Sequence, residues 1–207
     1  RMVWEKHSDL PIIVGNAISV SCPETLLKNS EVDVIVLDEG ELTIAELVEN
    51  IKDRDNYKNI NGICYKDQEG NIHKTLIRDR ITDLDSLPFP AWDLFNITEY
   101  MKHTGPFLNR GLRTGWITAV RGCPFRCGYC SRNFGQMITT RSANSMIDEI
   151  IEFKRLYNGT HFQIVDDLFM AQPKLVRNFA KSLMERKVDI TWDCTGRVNL
   201  VDEQLLR

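Results

Sequence analysis

Residues 120–132 read VRGCPFRCGYCSR and place Cys123, Cys127 and Cys130 at C-x3-C-x2-C spacing directly behind an apolar run. Three thiolates so spaced can hold three irons of a four-iron, four-sulfur cluster and leave the fourth iron without a protein ligand. An open coordination position separates a catalytic metal centre from a structural one, which four protein ligands close. Two other readings of the same thiols stand beside this one. Zinc needs a fourth ligand, and the nearest candidates, His103, His161 and Cys194, lack the paired C-x2-C or H-x3-H spacing of zinc modules. A disulfide pair would strand an odd thiol in a chain without secretory context. Arg121, Arg126, Arg132 and Arg141 surround the loop, where positive charge either favours a more reducible cluster or meets solvent.

Beyond the loop, strand and helix alternate. The pattern predicts strands over residues 116–121, 160–165 and 189–194, helices over 145–157 and 173–186, and a further helix from near Asp202. The second helix carries Leu175, Val176, Phe179, Ala180 and Leu183 at helical spacing, with Pro173 in its first turn. Repeated βα units imply a parallel sheet or barrel with right-handed crossovers. A barrel ending inside its third unit has a raw edge, so a fragment of a longer protein is expected.

Catalytic groups of such folds sit at the carboxyl ends of strands. The cysteine loop follows the first strand, Asp166 and Asp167 close the second, and Arg197 stands beyond the third, so one rim is expected to gather them. Side chains alternate along a strand, which lets only one of the two aspartates point inward; their other reading is an N-cap or turn before the Pro173 helix. Arg197 offers a planar fork for a carboxylate, or a salt bridge to Asp193.

Toward the N-terminus, strands are predicted over residues 11–20 and 32–40, with a short helix at PETLLKNS between them. ELTIAELVENI places Leu42, Ala45, Leu47 and Val48 on one helical stripe. This reads as the end of an open parallel α/β domain. Residues 59–77 suggest a hairpin around DQEGN, and RITDLDSLPFPAWDLFN is expected to dock as an extended segment.

The 207 residues allow one full domain or two partial ones. A net charge of −3 offers no basic stripe for phosphate backbones, so no nucleic acid partner is expected, and the charges of residues 52–55 read as solvated surface. No apolar run of roughly 18 residues suggests a membrane span, and no signal-peptide core opens the chain. A cytoplasmic setting is expected, with Cys22, Cys64 and Cys194 as reduced, packed side chains and Cys194 singled out by its place near a strand end.

The cysteine stretch, with Tyr129 just before its last cysteine, resembles the signature of the radical S-adenosylmethionine (SAM) superfamily. The N-terminal part resembles the end of the cobalamin-binding domain that precedes many radical SAM domains, on Gly15, Pro23-Glu24-Thr25 and Asp38-Glu39-Gly40-Glu41 before Thr43. Two departures stand out. Asn16 follows Gly15 where paired glycines are frequent, and IVDDLF replaces a glycine-rich turn with an acidic residue. The lower-ligand pattern D-x-H-x-x-G would lie upstream of residue 1, since His7 is followed by Ser8, Asp9 and Leu10. An α/β domain holding no cofactor is the other reading of this part.

The resemblance implies the end of a Rossmann-like parallel α/β domain over residues 1–57, a hairpin and docking linker over 58–115, and the first half of a radical SAM partial TIM barrel over 116–207. It implies a four-iron, four-sulfur cluster on Cys123, Cys127 and Cys130, SAM on its open iron, and cobalamin. Tyr129 falls at the adenine-contacting position, or is an ordinary packed aromatic. Asp166 and Asp167 would meet the SAM ammonium, Arg197 a carboxylate, and Gly15 the corrin tail. The implied activity is anaerobic reductive cleavage of SAM to a 5′-deoxyadenosyl radical, serving methyl transfer or ring formation on a small-molecule substrate, with flavodoxin or ferredoxin as electron donor. A methylthiotransferase-type enzyme without cobalamin and a non-enzymatic zinc or iron-sulfur module are the alternatives.

Overall fold

The computed structural model describes residues 10–15, 21–101, 112–130 and 134–206. The chain divides into two compact units, Arg1–Ile81 with Cys127–Phe134, and Thr82–Arg126 with Gly135–Arg207.

In the first unit, β1 (Ile13–Val14), α1 (Pro23–Asn29), β2 (Val34–Val36), α2 (Glu41–Glu49), β3 (Ile63–Lys66) and β4 (Ile72–Lys74) follow one another. The all-apolar β2 is buried along its whole length, as a strand covered on both faces must be. Val34 and Val36 pack with Leu47 of α2, Tyr57 and Ile60, while Ile35 packs with Leu27 of α1 and Cys64. The period of two therefore gives each helix its own face of the sheet. Pro23 starts α1, where its missing N–H costs nothing.

Three expectations need correction here. The strand over 11–20 is confined to β1 among the described residues, residues 16–20 lying outside them. The sheet is mixed: β1 and β2 are parallel, but β3 joins the same sheet antiparallel to β2, and β4 pairs antiparallel to β3. The stripe of α2 is also rotated. Thr43 and Leu47 are its buried residues, while Leu42, Ala45 and Val48 are exposed. Thr43 can face inward because its hydroxyl donates to the Asn61 carbonyl and accepts from Arg78 Nε at 3.0 Å. At the hairpin tip, Asp67 Oδ1 accepts the N–H groups of Glu69 and Asn71, and Gly70 supplies the positive φ.

The second unit opens with residues 82–101, which fold into short helical turns at Leu84–Ser86 and Trp92–Leu94 and into α3 (Ile97–Tyr100) instead of running extended. The reason is local capping and aromatic docking. Asp83 accepts the Asp85 N–H, Ile97 and Met101 enter the core, and Trp92 meets Phe153 edge-on at 5.4 Å.

The central sheet of this unit has β5 (Thr114–Ile117), β8 (His161–Ile164) and β9 (Thr191–Cys194) parallel in the order β5-β8-β9. Between β5 and β8 come β6 (Val120–Arg121), β7 (Thr139–Thr140) and α4 (Ala143–Tyr157); α5 (Pro173–Glu185) joins β8 to β9, and α6 (Glu203–Leu206) follows. Ser142 caps α4 by accepting the Ser145 N–H, and Asn158 ends it in the left-handed region. Met146, Ile147, Ile150 and Phe153 form the buried face of α4; Val176, Phe179 and Leu183 form that of α5. Gly115 lets the rings of Phe153 and Phe162 close on β5, since a Cβ there would lie 2.9 and 2.8 Å from them.

The expected strand over 116–121 breaks in two. After Ile117 the chain leaves the parallel sheet, and β6 pairs antiparallel with β7 in a separate ribbon. Among the described residues no helix is long and apolar enough to cross a membrane.

Candidate functional site

The ribbon closes the base of the cysteine loop. Val120 and Arg121 pair with Thr140 and Thr139, Arg141 N–H donates to the Ala119 carbonyl at 2.8 Å, and Cys123 N–H donates to Gly135 at 3.0 Å. Gly122 sits at φ +90°, and a Cβ there would lie 2.1 Å from the Met137 carbonyl oxygen, so no other residue fits. Arg141 secures the same base. Its guanidinium donates to the Thr118 carbonyl at 3.0 Å and to Ser145, and forms an ion pair with buried Glu149. Burial pushes the Glu149 carboxyl up, against the pull of Arg141. Of the four arginines near the loop, Arg141 is thus a structural cation; Arg126 donates to Gln136, and Arg132 lies outside the described residues.

Because β5, β8 and β9 are parallel, the segments following them share one end of the sheet. Asp166 and Asp167 both reach across to the segment leaving β5. Asp166 Oδ1 accepts the Ala119 N–H at 2.7 Å, and Asp167 Oδ2 accepts the Gly122 N–H at 3.2 Å. Strict alternation had allowed only one of them to point inward, but β8 ends at Ile164, before both, and the chain there turns freely. Neither caps the Pro173 helix, whose N-cap residue is Gln172. Asp166 is 7% exposed and its Oδ2 is buried without a hydrogen-bond partner. Burial raises its carboxyl to about 6, opposed by the Val120 and Ala119 amides and reinforced by Asp167.

Beyond β9, Arg197 does not pair with Asp193. Its guanidinium carbon lies 4.0 Å from the centroid of the Phe125 ring, and its Nε donates to Asn199. Asp193 instead meets His161 Nε2 at 2.9 Å, while His161 Nδ1 meets Thr191 Oγ1 at 2.8 Å. His161 starts β8 and so stands at the opposite end of the sheet from the cysteine loop, which removes it as a fourth zinc ligand. His103 lies outside the described residues. Cys194 ends β9, where burial, then Asp193 and Asp166, push its thiol up to about 11, which suits a packed thiol better than a thiolate ligand. Cys64 is fully buried as expected, but Cys22 is exposed, because it occupies the N-cap of α1 instead of the core.

Cys123 and Cys127 are half-buried, Cys130 is exposed, and none of the three is in a disulfide. Cys130 N–H closes a tight turn on the Cys127 carbonyl at 3.1 Å. Among the described residues no three His, Cys, Asp or Glu side chains are gathered as ligands for a metal ion. The donor chemistry nevertheless fits an iron-sulfur cluster: three reduced thiols, all with access to solvent, on a loop whose leading arm donates its Gly122 N–H to the Asp167 carboxylate. Tyr129 is 94% exposed, so it is not a packed aromatic. Gly15 follows β1 and would carry a Cβ without strain, 3.9 Å from Val36. A groove of about 430 Å³ in the first unit is lined by Leu10, Ile51, Lys52, Arg54 and others, with Arg54 paired to Asp33 at 3.2 Å; it holds none of the expected site residues. Phe125 and Gly122 were missed by sequence reasoning, although the Arg-Gly dipeptide before Cys123 signals a turn.

The segment that carries Cys123 leaves the carboxyl end of a strand in a parallel α/β sheet, and comparison with known proteins adds to that description. No family model matches the sequence. An uncharacterized methyltransferase of Pyrococcus horikoshii is 28% identical over 199 residues, covering 95% of this chain and 42% of its own length. The anaerobic magnesium-protoporphyrin IX monomethyl ester cyclase of Rubrivivax gelatinosus is 28% identical over 214 residues, covering 100% of this chain and 37% of its own. The solved cobalamin-dependent SAM radical enzyme OxsB, with aqua-cobalamin and SAM bound, shares the fold at a TM-score of 0.74 with 22% identity, over 98% of this chain and 28% of that one. By sequence the chain is thus similar to proteins named as a methyltransferase and a cyclase, and by fold to a cobalamin-dependent SAM radical enzyme. The chain spans about two fifths of the length of the curated relatives it matches.

Proposed function

We propose that this chain is part of a cobalamin-dependent radical SAM enzyme, with Cys123, Cys127 and Cys130 holding three irons of a four-iron, four-sulfur cluster. The supporting observation is convergence: the base of the cysteine loop, the Asp166–Asp167 pair and Arg197 follow three neighbouring parallel strands at one sheet end. The arrangement we favour is a corrin-binding part that ends with the hairpin of β3 and β4, near Ile81, followed by the first strands and helices of a partial TIM barrel.

When bound, the cluster, SAM and cobalamin supply one-electron cleavage of a sulfonium to a 5′-deoxyadenosyl radical and a carrier for the methyl group. The chain's own residues position and shield. Tyr129, exposed on the loop, offers a flat apolar face for an adenine. Asp167 brings a carboxylate to a rim where a cationic ammonium would stand, while buried Asp166 ties that rim to the Ala119 amide, and Arg197 brings a planar fork for a carboxylate. Gly15 leaves room beside β1 for the corrin tail. The substrate is a small molecule, the outcome methyl transfer or cyclisation, and the electron donor a flavodoxin or ferredoxin in an anaerobic cytoplasm.

The test is anaerobic reconstitution of the full-length protein with iron, sulfide, SAM and a reductant. We expect 5′-deoxyadenosine from the wild type and none from Cys127→Ala. Release of 5′-deoxyadenosine at equal rates from both would overturn the reading.

A further inference from the structure

Beyond the β6–β7 pairing and Arg141, the leading arm of the cysteine loop is held from the ends of β8 and β9. Asp166 accepts the Ala119 N–H, Asp167 accepts the Gly122 N–H at 3.2 Å, and Arg197 lies over the Phe125 ring at 4.0 Å. The amides and the ring belong to one loop; the acceptors and the cation come from the ends of two other strands. Cys123 stands between the last two held points, and its own N–H is already donated to Gly135. Gly122 at φ +90° then fixes the direction in which the chain enters the cysteine.

We infer that Asp167 and Arg197 are positioning residues: acting through the Gly122 amide and the Phe125 ring, they set where the Cys123 thiol stands before any cluster is assembled. This rests on the reading of Cys123 as a cluster ligand. It differs from a purely ligand-binding role in what each side chain must supply. A clamp on an N–H needs an acceptor oxygen, which asparagine retains; attraction of a cationic ligand needs the charge, which asparagine lacks. A stack on Phe125 needs an aromatic face, so leucine at 125 should disturb the loop as much as loss of the guanidinium does.

The experiment uses the full-length protein as wild type, Asp167→Asn, Asp167→Ala, Phe125→Leu, Arg197→Lys and the Phe125→Leu/Arg197→Lys double variant. Two quantities are read without SAM: amide exchange over residues 119–126 in the metal-free protein, and the rate of iron loss to a chelator after anaerobic reconstitution. Asp167→Ala and Phe125→Leu should raise local exchange and speed iron loss about tenfold, within the range that outer-shell partners command. Asp167→Asn should match wild type in these two SAM-free readouts. The double variant should lose iron no more than about twofold faster than Phe125→Leu alone, because both changes break one contact. Failure of Asp167→Asn as complete as that of Asp167→Ala would overturn the clamp, as would wild-type exchange in Phe125→Leu. If the wild type takes up no iron, the cluster reading falls, and amide exchange still decides the clamp: unchanged exchange in Asp167→Ala sinks it.

Discussion

Asp166 and Ala119, 47 residues apart in sequence, are joined by a 2.7 Å hydrogen bond from a backbone amide to a carboxylate whose other oxygen is buried without a partner. This half-satisfied group ties the end of β8 to the stem of the cysteine loop at a cost in desolvation.

That cost has a pH signature. The native carboxyl titrates at about 6 against an ordinary 3.8, so between about pH 4 and pH 6 the native state binds more protons than the unfolded one. Stability from this group is therefore present below pH 4 and lost as pH rises through 6, by roughly 3 kcal/mol at 1.36 per unit. Asp166→Asn keeps an acceptor for Ala119 and removes the titration. Urea unfolding from pH 4.5 to 7.5 should show wild type losing stability relative to Asp166→Asn; a constant difference across that range would contradict the account.

Arg141 and Glu149 form a pair whose side chains are only 12% and 4% exposed. Removing one partner leaves a buried charge, so Glu149→Ala should cost about 3–5 kcal/mol. Replacing both by apolar residues, Arg141→Met with Glu149→Leu, should cost less than the single change. Equilibrium denaturation measures this, and a single variant as stable as wild type would show that the pair is not buried in solution.

The six cysteines should differ in reactivity. Cys194 is held at about 11 and Cys64 is fully buried with its thiol also pushed up by burial, so both should alkylate far more slowly at pH 8 than exposed Cys22 and Cys130 in metal-free protein. Mass spectrometry of a timed iodoacetamide reaction gives the order directly. Cys194 modified as fast as Cys22 would contradict its packed position.

The helices of the second unit were readable because Phe153 in α4 and Phe179 in α5 fall on long, regular apolar faces, and the three parallel strands followed from their spacing. What the sequence hid was contact between distant short pieces. β6 and β7 are two residues each, too short to carry a period, and Thr139-Thr140 gives no sign that it closes the loop 18 residues after Arg121. The four residues of β3 are buried or half-buried, so nothing marked its pairing with β2. In α2 apolar Leu42 and Val48 outnumbered Thr43, and only the Asn61 and Arg78 partners explain why the threonine faces in. The cysteine motif stands out in the sequence by its spacing; the partners of Asp167 and Arg197 do not, because Gly122 contributes an amide and Phe125 a ring, neither of which a sequence pattern flags.

The most direct test of the central claim is iron and sulfide analysis with electron paramagnetic resonance of the dithionite-reduced, anaerobically reconstituted full-length protein, wild type against Cys123→Ala, Cys127→Ala and Cys130→Ala. The account predicts about four irons and four sulfides per chain with a reduced-cluster signal that SAM perturbs, and loss of that signal in every variant. One zinc per chain and no sulfide, or a cluster that survives removal of any of the three thiols, would contradict it.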